Sequence, residues 1–192
     1  MTTATAPAAA GVAPTLRRLY LVRFGFALVW AVLLFLTASS IGVLTAVLLV
    51  LYPAFDVAAA AVDARSSRVD GAGGSGGGSA AGQYATMAIS TVAAVGLAVA
   101  LTSGIPAVLR VWGAWAVVAG VVQLVVAVRR RRLGGQWAMI ASGSISVLAG
   151  VSFVLMASNG GASLTAVAGY ALLGGVFFLV SALRLGRTRV GT

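Results

Sequence analysis

Six mostly apolar stretches dominate the sequence, and each is between 18 and 24 residues long. An α-helix needs about 20 apolar residues to cross the hydrocarbon core of a bilayer, whereas a transmembrane strand needs about 9–11 residues of alternating polarity. The chain as a whole is 60% hydrophobic and only 8% charged, unlike ordinary soluble domains. The sequence therefore predicts an all-α membrane protein whose six spans are 21–38, 41–62, 84–102, 105–128, 137–157 and 162–183.

The charged residues predict how these helices are oriented. The chain contains thirteen arginines and three aspartates, which gives a formal net charge of +10. All the arginines except Arg110 fall before or just inside the start of the first span, after the second, after the fourth or after the sixth. Because positive charge concentrates in cytoplasmic segments, we expect both termini and the two longer loops to be cytoplasmic.

The longest arginine run follows the fourth span, at Arg129, Arg130, Arg131 and Arg132. Such a run could neutralise phosphates of a nucleic acid, but its place in a short loop between two spans argues against this. We expect it to fix topology and to contact anionic lipid headgroups, worth about 1 kcal/mol per arginine near the surface. Membrane lipids, and no nucleic acid, are therefore the expected partners.

Composition divides the chain into a tail and one domain. Residues 1–16 are rich in alanine, threonine and proline and predict a disordered tail, and residues 17–192 form a single six-helix domain. Within it, 69–83 reads as a flexible glycine- and serine-rich cytoplasmic loop. Its GAGGSG segment fits a dinucleotide-binding pattern, but neither a preceding strand nor a phosphate-binding lysine accompanies it.

The chain also matches itself at fixed offsets. A shift of 64 residues lays Arg65 on Arg129, and a shift of 55 lays Trp115 on Tyr170 and Arg129 on Arg184. The repeated unit is a pair of helices that starts and ends on the same side of the membrane. We therefore expect three parallel helix-hairpin repeats with rough threefold symmetry, unlike the inverted repeats of many transporters.

One region of the chain resembles a known family. The points of likeness lie between Arg110 and Arg187: Trp112-Gly113-x-Trp115, Gly120, Arg129–Arg132, Gly150, Gly169-Tyr170 and Gly174-Gly175. Over its last two hairpins the chain resembles the HdeD-like acid-resistance integral membrane proteins, whereas the first hairpin departs with Pro53, Asp56 and the glycine-rich loop. The resemblance implies six helices in the bacterial inner membrane and a role in acid or envelope stress. That family has no established catalytic residues, so none is carried over.

The composition excludes several kinds of chemistry directly. The chain has no histidine, cysteine, lysine or glutamate. A serine–histidine or cysteine–histidine nucleophilic site is impossible without an imidazole base, and thiolate or imidazole metal sites are impossible within one chain. We therefore expect no catalytic residue, no bound metal and no cofactor, and we interpret the protein as non-enzymatic.

Three polar side chains inside the spans form the candidate intramembrane polar site. Asp56 lies six residues before the end of its span, about 9 Å below the interface. An ionised carboxylate at mid-bilayer costs on the order of 2.5–3.5 kcal/mol unless it is paired, protonated or hydrated. Arg23, about 3 Å deep on the neighbouring helix, is its expected ion-pair partner; otherwise Arg23 snorkels and Asp56 bonds to other helices. Gln123 is expected to form a helix–helix hydrogen bond, with a solvated pathway as its alternative.

These expectations leave two functions open. The first is a non-enzymatic inner-membrane protein, similar to the HdeD-like family, that acts in acid or envelope stress; Asp56 would then be its only proton-responsive group inside the membrane. The alternative is a small transporter or channel with a path between the hairpins past Asp56 and Gln123. A homo-oligomer or an envelope-protein partner fits either function.

Overall fold

The computed structural model describes residues 9–69, 80–129 and 137–187 of the chain. These residues form six long α-helices, and no strand occurs in the described ranges. Each helix contains a segment long and apolar enough to cross a membrane, so the prediction of an all-helical protein with six candidate spans is confirmed for the described residues. The helices are α1 (Ala9–Thr37), α2 (Val43–Val69), α3 (Ala80–Ala100), α4 (Ile105–Arg129), α5 (Trp137–Ser158) and α6 (Leu164–Arg187).

Several helices extend beyond the predicted spans. The backbone of α1 is helical from Ala9, inside the segment expected to be disordered, and α2 continues to Val69 rather than ending at 62. The helix α3 begins at Ala80, inside the expected loop 69–83. The spans were bounded by apolar character, but backbone hydrogen bonds can continue a helix past the edge of the hydrocarbon core. Residues 1–8, the rest of that tail, and 70–79, the rest of that loop, lie outside the described residues.

The six helices pack in a cyclic order, so that each contacts its two neighbours along the chain and α6 also contacts α1. The most extensive interfaces are α4–α5, α1–α6 and α2–α3. Helices joined by the short connections at 38–42, 101–104 and 159–163 share much smaller interfaces. The tightest pairs are therefore not the pairs that the short connections join.

Neighbouring helices run antiparallel, which gives the bundle two distinct ends. We call the end that holds the three short connections the connection end. The opposite end, where α1 passes Arg18, α2 passes Arg65 and α4 ends at Arg129, is here called the arginine end.

Glycine shapes one of the short connections. A 3-10 turn, Leu101–Ser103, follows α3, and Gly104 then adopts φ 87° and ψ −179° before α4 begins. Residues with a side chain essentially never occupy this conformation. The Gly104 carbonyl accepts the backbone N–H of Val108 at 3.2 Å, in the first turn of α4.

Paired glycines bring α4 and α5 into backbone contact. A Cβ atom built on Gly113 would lie 2.5 Å from the carbonyl oxygen of Gly150, and the reverse distance is also 2.5 Å. One heptad away, a Cβ on Gly120 would lie 2.7 Å from the carbonyl oxygen of Gly143. Because lipid supplies no hydrophobic drive between helices, such close approach over small residues is a main source of association.

The large fully buried side chains concentrate in the half of the bundle next to the connection end. They come from five of the six helices: Trp30, Leu34, Thr45, Leu49, Leu97, Val108, Leu109, Trp112, Leu164 and Val167. Nearer the arginine end, Pro53 and Ser90 are also fully buried, whereas Asp56 and Gln123 are half-buried.

The glycine contacts predict a clear difference between two Gly→Ala substitutions. We expect Gly150→Ala to lower the free energy of unfolding by about 1–3 kcal/mol, because its Cβ would collide with the backbone of α4. Gly174→Ala is the matched control, since a Cβ there meets nothing within 4 Å. Unfolding of the purified variants in mixed detergent micelles measures both values. Equal stability of the two variants would contradict this account of the α4–α5 interface.

A polar cluster inside the helix bundle

Asp56 on α2 accepts a hydrogen bond from a serine on α3. The Ser90 hydroxyl donates to Oδ2 of Asp56 at 2.8 Å, and Ser90 is 1% exposed. A carboxylate that leaves water needs such donors, because an unpaired charge in a membrane interior is costly. Asp56 itself is half-buried on the inner face of α2.

Arg23 does not pair with Asp56, contrary to our expectation. Its guanidinium carbon lies 5.2 Å from the ring centroid of Phe178 on α6, and no ion pair joins these two described residues, Arg23 and Asp56. The expectation took α2 as the nearest neighbour of α1 because a short connection joins them. In the structure α1 packs far more extensively against α6, which provides the aromatic ring for a cation–π contact.

Two tyrosines bring further hydroxyl groups to the same region. The hydroxyl of Tyr170 on α6 donates to Oγ of Ser146 on α5 at 2.9 Å. The hydroxyl of Tyr52 lies within electrostatic range of Asp56, Arg23 and Tyr170. Five helices therefore contribute polar groups to one interior polar cluster, which consists of Arg23, Tyr52, Asp56, Ser90, Ser146 and Tyr170.

An aromatic cluster covers these polar groups on the side of the connection end. It consists of Trp30, Tyr52, Trp112 and Trp115, from α1, α2 and α4. The ring centroids of Trp30 and Trp112 are 5.5 Å apart, those of Trp30 and Tyr52 4.6 Å, and those of Trp112 and Trp115 5.2 Å. Since Trp30 and Trp112 are fully buried, the cluster fills the centre of the bundle at this depth.

The indole N–H groups of the aromatic cluster are not equally satisfied. Nε1 of Trp30 donates to the carbonyl oxygen of Leu48 at 2.6 Å. Nε1 of Trp112 and Nε1 of Trp115 are buried without an acceptor, as is Nε of Arg23. Buried donors usually have a partner, and ordered water is a frequent one.

Gln123 lies apart from the interior polar cluster. Its amide nitrogen donates to the carbonyl oxygen of Met139 at 3.2 Å, across the α4–α5 interface. This is the helix–helix hydrogen bond expected for Gln123. Arg129 is exposed at the end of α4, while Arg130, Arg131 and Arg132 lie outside the described residues.

The structure adds a second polar contact that our sequence interpretation missed. Nε2 of Gln83 donates to Oδ2 of Asp63 at 2.9 Å, again between α2 and α3. A signal was available, because Asp63 follows Asp56 by seven residues while Gln83 precedes Ser90 by seven. A seven-residue step forward along α2 is matched by a seven-residue step backward along α3, as expected where two antiparallel helices share one interface. Asp63 and Gln83 lay outside the predicted spans, so this match was not considered.

The chemistry open to this arrangement is limited. The described residues hold no group of three or more histidine, cysteine, aspartate or glutamate side chains that could bind a metal ion. Asp56 can take up and release a proton, and the hydroxyls of Ser90, Tyr52 and Tyr170 can donate or accept hydrogen bonds. The interior polar cluster is therefore suited to polar helix–helix contacts.

Comparisons with known proteins found no match. No family model matches the chain, no curated protein matches it, and no solved structure matches its fold. The resemblance to the HdeD-like proteins rests on the residues named above alone.

The Asp56–Ser90 contact predicts the effect of removing one hydroxyl. We expect Ser90→Ala to lower the free energy of unfolding by about 1 kcal/mol, because interhelical hydrogen bonds in membranes contribute about 0.6–1.7 kcal/mol. Thr91→Ala is the matched control: Thr91 is exposed and bonds only to Met87 in its own helix. The same detergent unfolding assay compares them, and a loss no larger for Ser90→Ala than for Thr91→Ala would refute the prediction.

Proposed function

We propose that this chain is a non-enzymatic, multi-pass protein of the bacterial inner membrane that acts in acid or envelope stress. The observation that carries the proposal is the half-buried carboxylate of Asp56, which is hydrogen-bonded to Ser90 inside a bundle of apolar helices. An ionisable residue placed inside a membrane bundle is a functional-site hypothesis by default. The resemblance of the last two hairpins to the HdeD-like proteins supports the same function.

The arrangement of the helices supports the proposed topology. The arginines near the helix termini, such as Arg18, Arg65, Arg129 and Arg184, share one end of the bundle, and by the positive-inside rule this end is cytoplasmic. The three extensive interfaces, α2–α3, α4–α5 and α6–α1, alternate with three smaller ones around the bundle. This alternation fits three parallel hairpin repeats with rough threefold symmetry. Arg129 to Arg132 would contact anionic headgroups on the cytoplasmic side.

Protonation of Asp56 is the proposed trigger. As a carboxylate, Asp56 accepts a charge-assisted hydrogen bond from Ser90, and such bonds are roughly twice as strong as neutral ones. Taking up a proton removes the negative charge from the interior and weakens the contact between α2 and α3. The α2–α3 interface is then free to adjust, and a lipid or protein partner could sense the new arrangement.

The alternative function, a transport path past Asp56 and Gln123, has less support. Fully buried Trp30 and Trp112 fill the bundle between Asp56 and the connection end. Gln123 donates its amide to a backbone carbonyl at a different interface, α4–α5. A continuous polar route through the described part of the bundle would require the aromatic cluster to open.

The proposal predicts that Asp56→Asn abolishes the acid response. Cells carrying the variant should survive an acid challenge no better than cells that lack the protein, because asparagine cannot change its charge. Asp63→Asn is the control that also removes one carboxylate from α2, and it should retain the wild-type response. Survival of Asp56→Asn cells at the wild-type level would eliminate the mechanism. Proton flux through liposomes that contain the wild-type protein, lost in Asp56→Asn, would instead favour the transporter.

A further inference from the structure

A groove runs between α1 and α6 in the half of the bundle next to the connection end. It encloses about 290 Å³, and the described residues that line it belong to these two helices. Ala31 and Ala168, which are buried, lie at its base, whereas Phe35 and Leu172, which are exposed, lie at its sides. The groove therefore opens on the outer surface of the bundle.

Missing side-chain volume produces this groove. Toward the arginine end α1 and α6 pack closely, and a Cβ built on Gly175 would lie 3.1 Å from the Cβ of Ala27. Six residues earlier on α6, a Cβ built on Gly169 meets no atom within 4 Å, and Gly169 is exposed. The space that a side chain at position 169 would occupy is therefore left open along an otherwise extensive interface.

The groove lies at the depth of the hydrocarbon chains of one leaflet. Its lining residues fall within 31–36 of α1 and 165–172 of α6, inside the candidate membrane spans Arg17–Thr37 and Leu164–Arg184. At 1.5 Å per residue the groove reaches about 12 Å inward from the start of α6. Since one leaflet contributes about 15 Å of hydrocarbon, half of the bilayer core, the groove follows most of one leaflet.

The lining of the groove is uncharged and almost entirely apolar. Among the residues that line it, the polar side chain is that of Thr165, whose hydroxyl is hydrogen-bonded to the hydroxyl of Ser163. A ligand group that needs a hydrogen bond or a counter-charge would lose its hydration here without gaining a partner. The chemistry of the groove therefore favours an apolar ligand.

The size of the groove favours a linear chain over a helix from a second copy of the protein. A helix with its side chains is about 10–12 Å across, which is wider than the gap between two neighbouring helices. Stable protein interfaces use roughly 20–30 residues on each partner, whereas eight residues line this groove. A hydrocarbon chain is only one methylene group wide and needs no such area.

We propose that this groove binds one acyl chain of a membrane phospholipid in the leaflet at the connection end. Dispersion contacts with Phe35, Leu36 and Leu172 hold the chain, and the open position beside Gly169 admits it. The lipid headgroup is not recognised, because no charged residue lines the groove. This site goes beyond the proposed function and does not depend on it, and it lies at the opposite end of the bundle from the arginines that contact anionic headgroups.

Native mass spectrometry tests the site by counting the phospholipids that the full chain retains. Protein purified in detergent micelles is titrated with palmitoyl-oleoyl phosphatidylcholine and, separately, with palmitoyl-oleoyl phosphatidylglycerol. Gly169→Leu fills the groove with a side chain, since its Cβ meets no atom within 4 Å. Gly174→Leu is the matched control on the same helix, because a Cβ there is equally unobstructed and Gly174 does not line the groove.

We expect Gly169→Leu to retain one phospholipid fewer than the wild type at equal lipid concentration, with either headgroup, and Gly174→Leu to retain the wild-type number. Equal retention by all three proteins, or a loss confined to phosphatidylglycerol, would overturn the proposal. A wild-type dimer that Gly169→Leu disrupts would also overturn it, by assigning the groove to a second copy. If Gly169→Leu fails to fold, as judged by gel filtration, Thr165→Phe fills the groove from the exposed face of α6 with the same expected loss. Lipid retention does not depend on Asp56, so the acid-survival test of the proposed function is decided separately.

Discussion

The contact between the backbones of α4 and α5 is the constraint on which much of the bundle depends. Gly113 and Gly120 on one helix face Gly150 and Gly143 on the other, so closely that a single methyl group would collide with a carbonyl oxygen. In a bilayer the interior of a protein is no more apolar than its surroundings, so dispersion contacts at short range must supply the stabilisation. This pair forms the most extensive helix–helix interface of the described residues.

The alternation of extensive and small interfaces then decides where polar groups meet. Because α1 packs mainly on α6, Arg23 contacts Phe178 instead of pairing with Asp56, and because α2 packs on α3, Asp56 bonds to Ser90. Close packing at the connection end closes the bundle there. Ser90 is almost completely buried where its hydroxyl bonds to Asp56. Fold and proposed function are therefore connected through the helix pairs that pack most extensively.

Parts of the candidate site were predictable from the sequence, and parts were not. Asp56 was recognisable because a carboxylate deep in an apolar stretch requires a partner, and Gln123 because a buried amide does as well. The partners themselves, Ser90 and the carbonyl of Met139, were not predicted. Sequence distance suggested Arg23 for Asp56, but short connections between helices do not require extensive packing between them. The seven-residue spacing of Asp56 and Asp63 matches that of their partners, Ser90 and Gln83. This match identifies the partners only when α2 and α3 are known to be adjacent.

Sequence alone determined that this chain forms six apolar helices and that its arginines fall at alternate connections. These properties follow from hydropathy and from the length of helix that a bilayer requires, and neither depends on how the helices pack. Only the tertiary structure decided which faces meet, that aromatic rings close the interior at one depth, and that Asp56 bonds to a hydroxyl. In chains so rich in alanine, valine, leucine and glycine many helix faces are nearly equivalent. Close steric fit, which the linear pattern does not encode, selects among them.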